Sequence, residues 1–151
     1  MDEISTGLTR RHLFIAGSLA TVAVAGLAEP AAAMSAGEKA NAKVVREFIA
    51  AWNDPDKAVT YLSDDASVRM VEGKPPVVGP AAVDAAFKGF MTPGTKLSVK
   101  ILSTTAEGPI VMNRRIDTLT MPGKPAQSFK VVGVFVVKKG KITEWADYLD
   151  A

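Results

Sequence analysis

Between Glu38 and Asn53 the apolar residues Val44, Val45, Phe48, Ile49 and Trp52 return at the spacing of one helix face. Asn53-Asp54-Pro55 stops that helix. Asp54 can cap a second, short helix that has Pro55 at its first position and runs to about Leu62. Ser63-Asp64-Asp65 reads as a turn, Ala66 to Val71 as a strand, and Glu72 to Gly79 as a Pro/Gly-rich loop. Pro80 opens a third helix with Val83, Phe87 and Phe90 along one side, and Thr92-Pro93-Gly94 breaks it.

Beyond this point the period falls to two. Strands are predicted over Lys96–Thr105, Ile110–Met121, Gln127–Lys138 and Lys141–Leu149, the last two joined by a hairpin turn at Lys138-Lys139-Gly140. Helices first and an antiparallel meander last is an α+β pattern. The strand from Phe129 to Val137 is apolar on both sides: Phe129, Val131, Phe135 and Val137 on one, Val132, Val134 and Val136 on the other. Such a strand needs two covers. The helices can supply one, around a pocket; a second copy of the chain can supply the other. Gly133 in mid-strand is expected to mark a bend or bulge.

The front of the chain has a different character. Thr9-Arg10-Arg11-His12-Leu13-Phe14 sets two arginines before Leu13 to Ala28, a mildly apolar run without charge. That run is about 16 residues, short for a membrane span. Pro30 and the small residues Ala31-Ala32-Ala33 follow. Arginine pair, apolar core and small-residue site come in the order of a cleavable twin-arginine signal. The expectation is a signal over residues 1–33, one domain over 34–151, and a periplasmic or secreted product with no membrane attachment once the signal is removed.

Composition narrows the chemistry. From Met34 onward Lys and Arg exceed Asp and Glu by about three, evenly spread, which does not argue for nucleic acid. The chain has no cysteine, and its one histidine, His12, lies in the expected signal. The mature domain therefore lacks Ser-His-Asp chemistry, thiolate catalysis and the usual zinc ligands. Acid–base work falls to Asp, Glu, Lys, Tyr or bound water. No metal and no cofactor are expected.

Alternation points to one constellation. Asn113, Arg115 and Asp117 share a face of their strand; Trp145, Asp147 and Leu149 share a face of the last one. Asp147 thus stands between two large apolar side chains. A carboxylate there is in a pocket or paired with a cation, because burying it alone is costly. The apolar setting raises its pKa while Arg115 pulls it back. An arginine between two carboxylates can leave one ionised as base and the other protonated as acid. A purely structural Asp–Arg–Asp network bracing the sheet fits the same alternation.

Arg115-Ile116-Asp117, Gly133-Val134-Phe135 and the run from Gly140 through Lys141-Ile142-Thr143-Glu144-Trp145-Ala146-Asp147-Tyr148-Leu149-Asp150 resemble the limonene-1,2-epoxide hydrolase group of the SnoaL-like, NTF2-like superfamily. The resemblance spans roughly Glu38 to Asp150. It implies a cone: a curved mixed sheet with the N-terminal helices closing an apolar pocket, in a homodimer. It also implies that Asp147 activates water, Asp117 protonates an epoxide oxygen and Arg115 bridges them. The family's first strand carries a Tyr and an Asn that hold the attacking water; here those positions fall on Val68 and Met70. Asn113 offers a replacement polar group. Candidate pocket residues are Asn113, Trp145, Leu149, Val68, Met70 and Phe48, the last belonging foremost to the helix core. The expected function is an exported hydrolase acting on an epoxide of a small apolar molecule. Its rivals are a proton-transfer isomerase, cyclase or dehydratase of an apolar ketone or polyketide-like compound, and a non-catalytic binder of hydrophobic ligands.

Overall fold

The computed structural model describes residues 33–149. The arginine pair and apolar run of the expected export signal lie outside these residues. Among those described, no helix is long and apolar enough to cross a membrane.

The first helix, α1, is Ala36–Ala50. It starts before the apolar stripe does, because Ser35 and Glu38 form a reciprocal capping box. It also stops short of Asn53, whose side-chain amide instead pairs with both the N–H and the C=O of Leu97. Asp54 caps α2 (Pro55–Ala58), which continues as one 3-10 turn, Val59–Tyr61. The turn expected at Ser63-Asp64-Asp65 is instead strand: β1 runs Leu62–Arg69, with an irregularity between Leu62 and Ser67. The stretch expected as pure loop contains a two-residue strand, β2 (Val77–Val78), paired antiparallel with β1. α3 is Pro80–Phe90. β3 (Lys96–Glu107), β4 (Ile110–Thr120), β5 (Gln127–Lys138) and β6 (Lys141–Leu149) form the meander.

The strand order is β2-β1-β6-β5-β4-β3, with β1 parallel to β6 and every other pair antiparallel. This mixed, open sheet with helices against one face is the cone-like α+β architecture. α1 lies across β3 to β6, and α3 packs on β1 and β2. Val45, Phe48, Ile49, Val83 and Phe87 from the helices meet Val68, Val111, Phe135, Ile142 and Trp145 from the sheet in one core. Phe48 is its hub, edge-on to Trp52, Phe135 and Trp145, with centroids 5.7, 6.4 and 5.3 Å away. Such pairs contribute about 0.5–1.5 kcal/mol each beyond area burial.

The opposite face of the sheet carries an apolar patch, bordered by Arg114, Lys130 and Glu144. Ile110 lies beside Val136, Met112 beside Val134 and Tyr148 beside Val132. Ile110, Met112 and Tyr148 are exposed, and the three valines half-buried.

No bulge forms at Gly133. Pairing runs unbroken through it on both sides, and the β5–β6 register shifts only between Val136 and Val137. Its role lies in the site.

Candidate functional site

Register brings three rows together. Asn113 of β4, Gly133 of β5 and Asp147 of β6 stand in one row across the inner face. Arg115 stands one row on, opposite Val131, which in turn faces Leu149; Asp117 stands beyond it. Arg115 leans back across the row of Gly133. A Cβ at position 133 would lie 2.2 Å from Arg115 Nη1 and 2.8 Å from Phe135 Cε2. Glycine is needed there because the guanidinium occupies the space of a side chain.

The guanidinium is fully buried and every edge of it is used. Nε donates to both oxygens of Asp117, at 2.9 and 3.0 Å. Nη1 donates to Asn113 Oδ1 at 3.1 Å, and Nη2 donates to Asp147 Oδ2. Its centre lies 4.9 Å from the centroid of the Trp52 ring, a cation–π contact. Trp145 Nε1 donates to the other oxygen of Asp147 at 2.6 Å. The apolar neighbour foreseen in the sequence is thus also a hydrogen-bond donor, a role its i, i+2 spacing from Asp147 permits.

Both carboxylates open onto a cavity of about 480 Å³. Its walls are Trp52, Met70, Val71, Ala86, Phe87, Phe90, Leu97, Leu119, Phe129, Val131, Trp145 and Leu149, with Glu72 and Tyr148 also contributing. Of the residues anticipated as pocket lining, Met70, Trp145 and Leu149 stand on these walls. Phe48, Val68 and Asn113 do not: all three are buried beneath them, Asn113 under Arg115. Trp52, on the apolar helix face by its spacing, is a wall residue as well. Only the place where α1 ends over the sheet reveals this.

Burial sets the electrostatics. It raises the pKa of Asp147, against the opposing pull of Arg115 and the Trp145 N–H; the nearby Asp117 adds to the rise. Burial raises Asp117 too, again against Arg115. The sequence left the contest at Asp147 between burial and arginine open; in the fold, burial prevails. One cation and two carboxyls in a poorly solvated site are best neutralised with a single proton shared by the carboxyls. Asp147 accepts from two N–H groups and Asp117 from one, so the ionised form is better satisfied on Asp147.

Each carboxyl holds its proton more tightly folded than unfolded, so protonation favours the fold. That stabilisation is complete at acid pH, below the unfolded pKa, and is lost as pH rises through the raised folded value. Asp117→Asn mimics the protonated state permanently. Its melting temperature at neutral pH is expected to equal or exceed that of the parent, with the difference vanishing in acid. Thermal melts across pH test this; a lower melting temperature at neutral pH would mean that attraction to Arg115 outweighs burial.

Comparison with known proteins bears on this geometry. Residues 39–151 match the model of the limonene-1,2-epoxide hydrolase (LEH) catalytic domain. The structure is similar to that of an LEH-like epoxide hydrolase of M. tuberculosis, with 30% sequence identity and a TM-score of 0.66, covering 75% of this chain and 84% of that one. It shares its fold with the epoxide hydrolase/cyclase-like enzyme SalBIII, described in pyran ring formation in the polyether salinomycin. There the identity is 21% and the TM-score 0.67, over 75% of this chain and 92% of that one. A protein with a ketosteroid isomerase-like fold from Catenulispora acidiphila matches at 16% identity and a TM-score of 0.63, over 70% and 84% of the two chains.

Proposed function

Because this chain belongs to the limonene-1,2-epoxide hydrolase family, we propose that it is an exported enzyme that opens the epoxide ring of a small apolar molecule. The observation that carries this reading is the hydrogen-bonded bridge from Asp117 through Arg115 to Asp147 at an otherwise apolar cavity. Asp147, ionised, takes the proton from an attacking O–H group, water in the family's reaction. Asp117, protonated, gives its proton to the ring oxygen as the C–O bond breaks. Arg115 holds both groups in place, and its charge stabilises the ionised carboxyl throughout. No covalent bond to the protein is required. Trp52, Phe87 and Trp145 supply the apolar walls that hold the hydrocarbon part of the substrate.

The test is a panel of terpene and aryl epoxides offered to the purified mature domain, with diol scored as product. Diol formation that disappears in Asp147→Asn is the expected result. No ring opening with any member of the panel would sink the reading in favour of proton transfer or ligand binding on the same scaffold.

The outer sheet face suits a second copy of the chain. A patch built from Ile110, Met112, Val132, Val134, Val136 and Tyr148 is larger than a scatter of single apolar residues. The expected species is a homodimer, and Val134→Glu at the patch centre is expected to give monomers. Light scattering of both proteins decides this; a monomeric parent at high micromolar concentration would refute it.

A further inference from the structure

Asn113 is only 2% exposed and stands beneath Arg115, off the cavity wall. The two polar atoms of its side chain fare differently. Oδ1 accepts from Arg115 Nη1 at 3.1 Å, while Nδ2 is buried with no partner among the described residues. An orphaned buried N–H group costs about 1–3 kcal/mol. Turning the amide over would set that NH2 against the guanidinium, donor to donor, and strip Nη1 of its acceptor. The oxygen is therefore held against Arg115 and Nδ2 is left over. An aspartate has the same shape, accepts from Nη1 more strongly and leaves no donor unpaired. The amide has one property that the carboxylate lacks: it brings no charge.

The balance of charge at the site gives that property its use. Arg115 is the cation between the carboxyls of Asp117 and Asp147. Thr104 and Ile101 of β3, Gly133 and Val131 of β5 and Trp52 of α1 stand against Asn113 and Arg115, and none of them titrates. Glu72 and Tyr148, both exposed, are the other titratable groups on the cavity wall. With Nη1 tied to Asn113, Nε faces Asp117 and Nη2 faces Asp147, and the guanidinium cannot swing toward either without losing a bond. A Cβ at position 133 would also lie 3.1 Å from Asn113 Oδ1, so the glycine makes room for both ends of this bond. A carboxylate at 113 would hold the same orientation but share the cation, leaving less of its pull for Asp147.

We infer that Asn113 is a positioning residue of the epoxide-opening site: a neutral acceptor that fixes the guanidinium between the two carboxyls and adds no third charge beside them. It touches no substrate and acts through Arg115. Its kinetic effects rest on the epoxide-opening reading above; its effects on orientation and charge do not.

Two variants separate acceptor from charge. Asn113→Leu keeps size and neutrality and removes the acceptor. Its kcat is expected to fall at least about tenfold with KM near that of the parent, because the guanidinium is misplaced and the cavity wall is unchanged. In ¹⁵N NMR the Nη signals of Arg115, distinct in the parent, are expected to merge as the guanidinium rotates. Asn113→Asp keeps the acceptor and adds charge. The last carboxyl of the site to ionise then does so against two ionised neighbours instead of one. Its titration by ¹³C NMR and the alkaline limb of the pH–rate profile are both expected to move up by about one pH unit or more. Parent-like kcat and Nη signals in Asn113→Leu would overturn the inference. So would a last titration and an alkaline limb left in place in Asn113→Asp. If Asn113→Asp does not fold, the Asn113→Leu measurements decide. A parent that opens no epoxide would overturn the epoxide reading, while the NMR measurements, which need no substrate, would still decide the role of Asn113.

Discussion

Asp147→Asn is expected to lower the rate of epoxide opening by about 10²–10⁴ while leaving the fold in place. Asparagine keeps the shape and an acceptor oxygen for Arg115 Nη2 or Trp145 Nε1, but it cannot take a proton from the attacking O–H. Asp117→Asn removes the proton donor and is expected to cost a similar factor. The two carboxyls are joined through one guanidinium, so the double variant should be little slower than either single one. Rates of the three variants, with melting temperatures, separate the possibilities. Near-full activity in Asp147→Asn with a lowered melting temperature would make the trio a structural ion-pair network and remove this site from the mechanism. The pH profile adds an independent check. Activity requires one carboxyl ionised and the other protonated, and both pKa values are raised by burial. Both limbs of the expected bell therefore lie above the ordinary carboxyl range.

The second large effect is expected at a residue with no functional group. Gly133→Ala puts a methyl where the guanidinium of Arg115 and the ring of Phe135 now lie. The guanidinium is the mobile partner and is expected to leave, breaking the bridge to Asp147. A displacement of that kind costs about 10² or more in rate. The pressure on Phe135, which is fully buried, adds overpacking of about 1–3 kcal/mol. A cycle with Arg115→Ala checks the cause. If the methyl and the guanidinium compete for one space, Gly133→Ala should destabilise the Arg115→Ala background clearly less than the parent. Equal destabilisation in both backgrounds would put the effect in Phe135 or the backbone instead.

Much of this was legible in the chain itself, and for one reason. Helical and strand periodicities are local, so a few consecutive residues suffice to reveal them. The stripes of α1 and α3, the cap at Asp54, the opening of α3 at Pro80, and the four strands of the meander follow from local sequence alone. So does the placing of Asn113, Arg115 and Asp117 on one face and of Trp145, Asp147 and Leu149 on another. Errors of local reading were also local. α1 starts ahead of its apolar stripe because Ser35 and Glu38 cap it there. Ser63-Asp64-Asp65 is polar enough to read as a turn; it is strand because it lies between Leu62 and Ser67, whose β6 partners are far along the chain.

What spacing leaves open is which strands become neighbours and what a long side chain reaches once they do. The parallel pairing of β1 with β6 joins the first strand to the last, and no short window of sequence contains it. That pairing alone sets Met70 beside Asp147. Arg115 and Asp147 are 32 positions apart, and their bond exists because β4 and β6 flank β5 and a glycine between them leaves room for the guanidinium. Trp52 is apolar in any reading. It becomes a wall of the cavity, stacked 5.0 Å from Trp145 and under the charge of Arg115, only because α1 ends over that part of the sheet. The net direction of the carboxyl pKa values belongs to the same class, since it balances burial against one nearby cation, and both are fixed by the packed fold. The chain by itself determined which side chains are available for acid–base chemistry and on which faces of their strands they lie. The tertiary structure decided their partners, their protonation and the apolar wall they share, because these depend on contacts between residues distant in sequence.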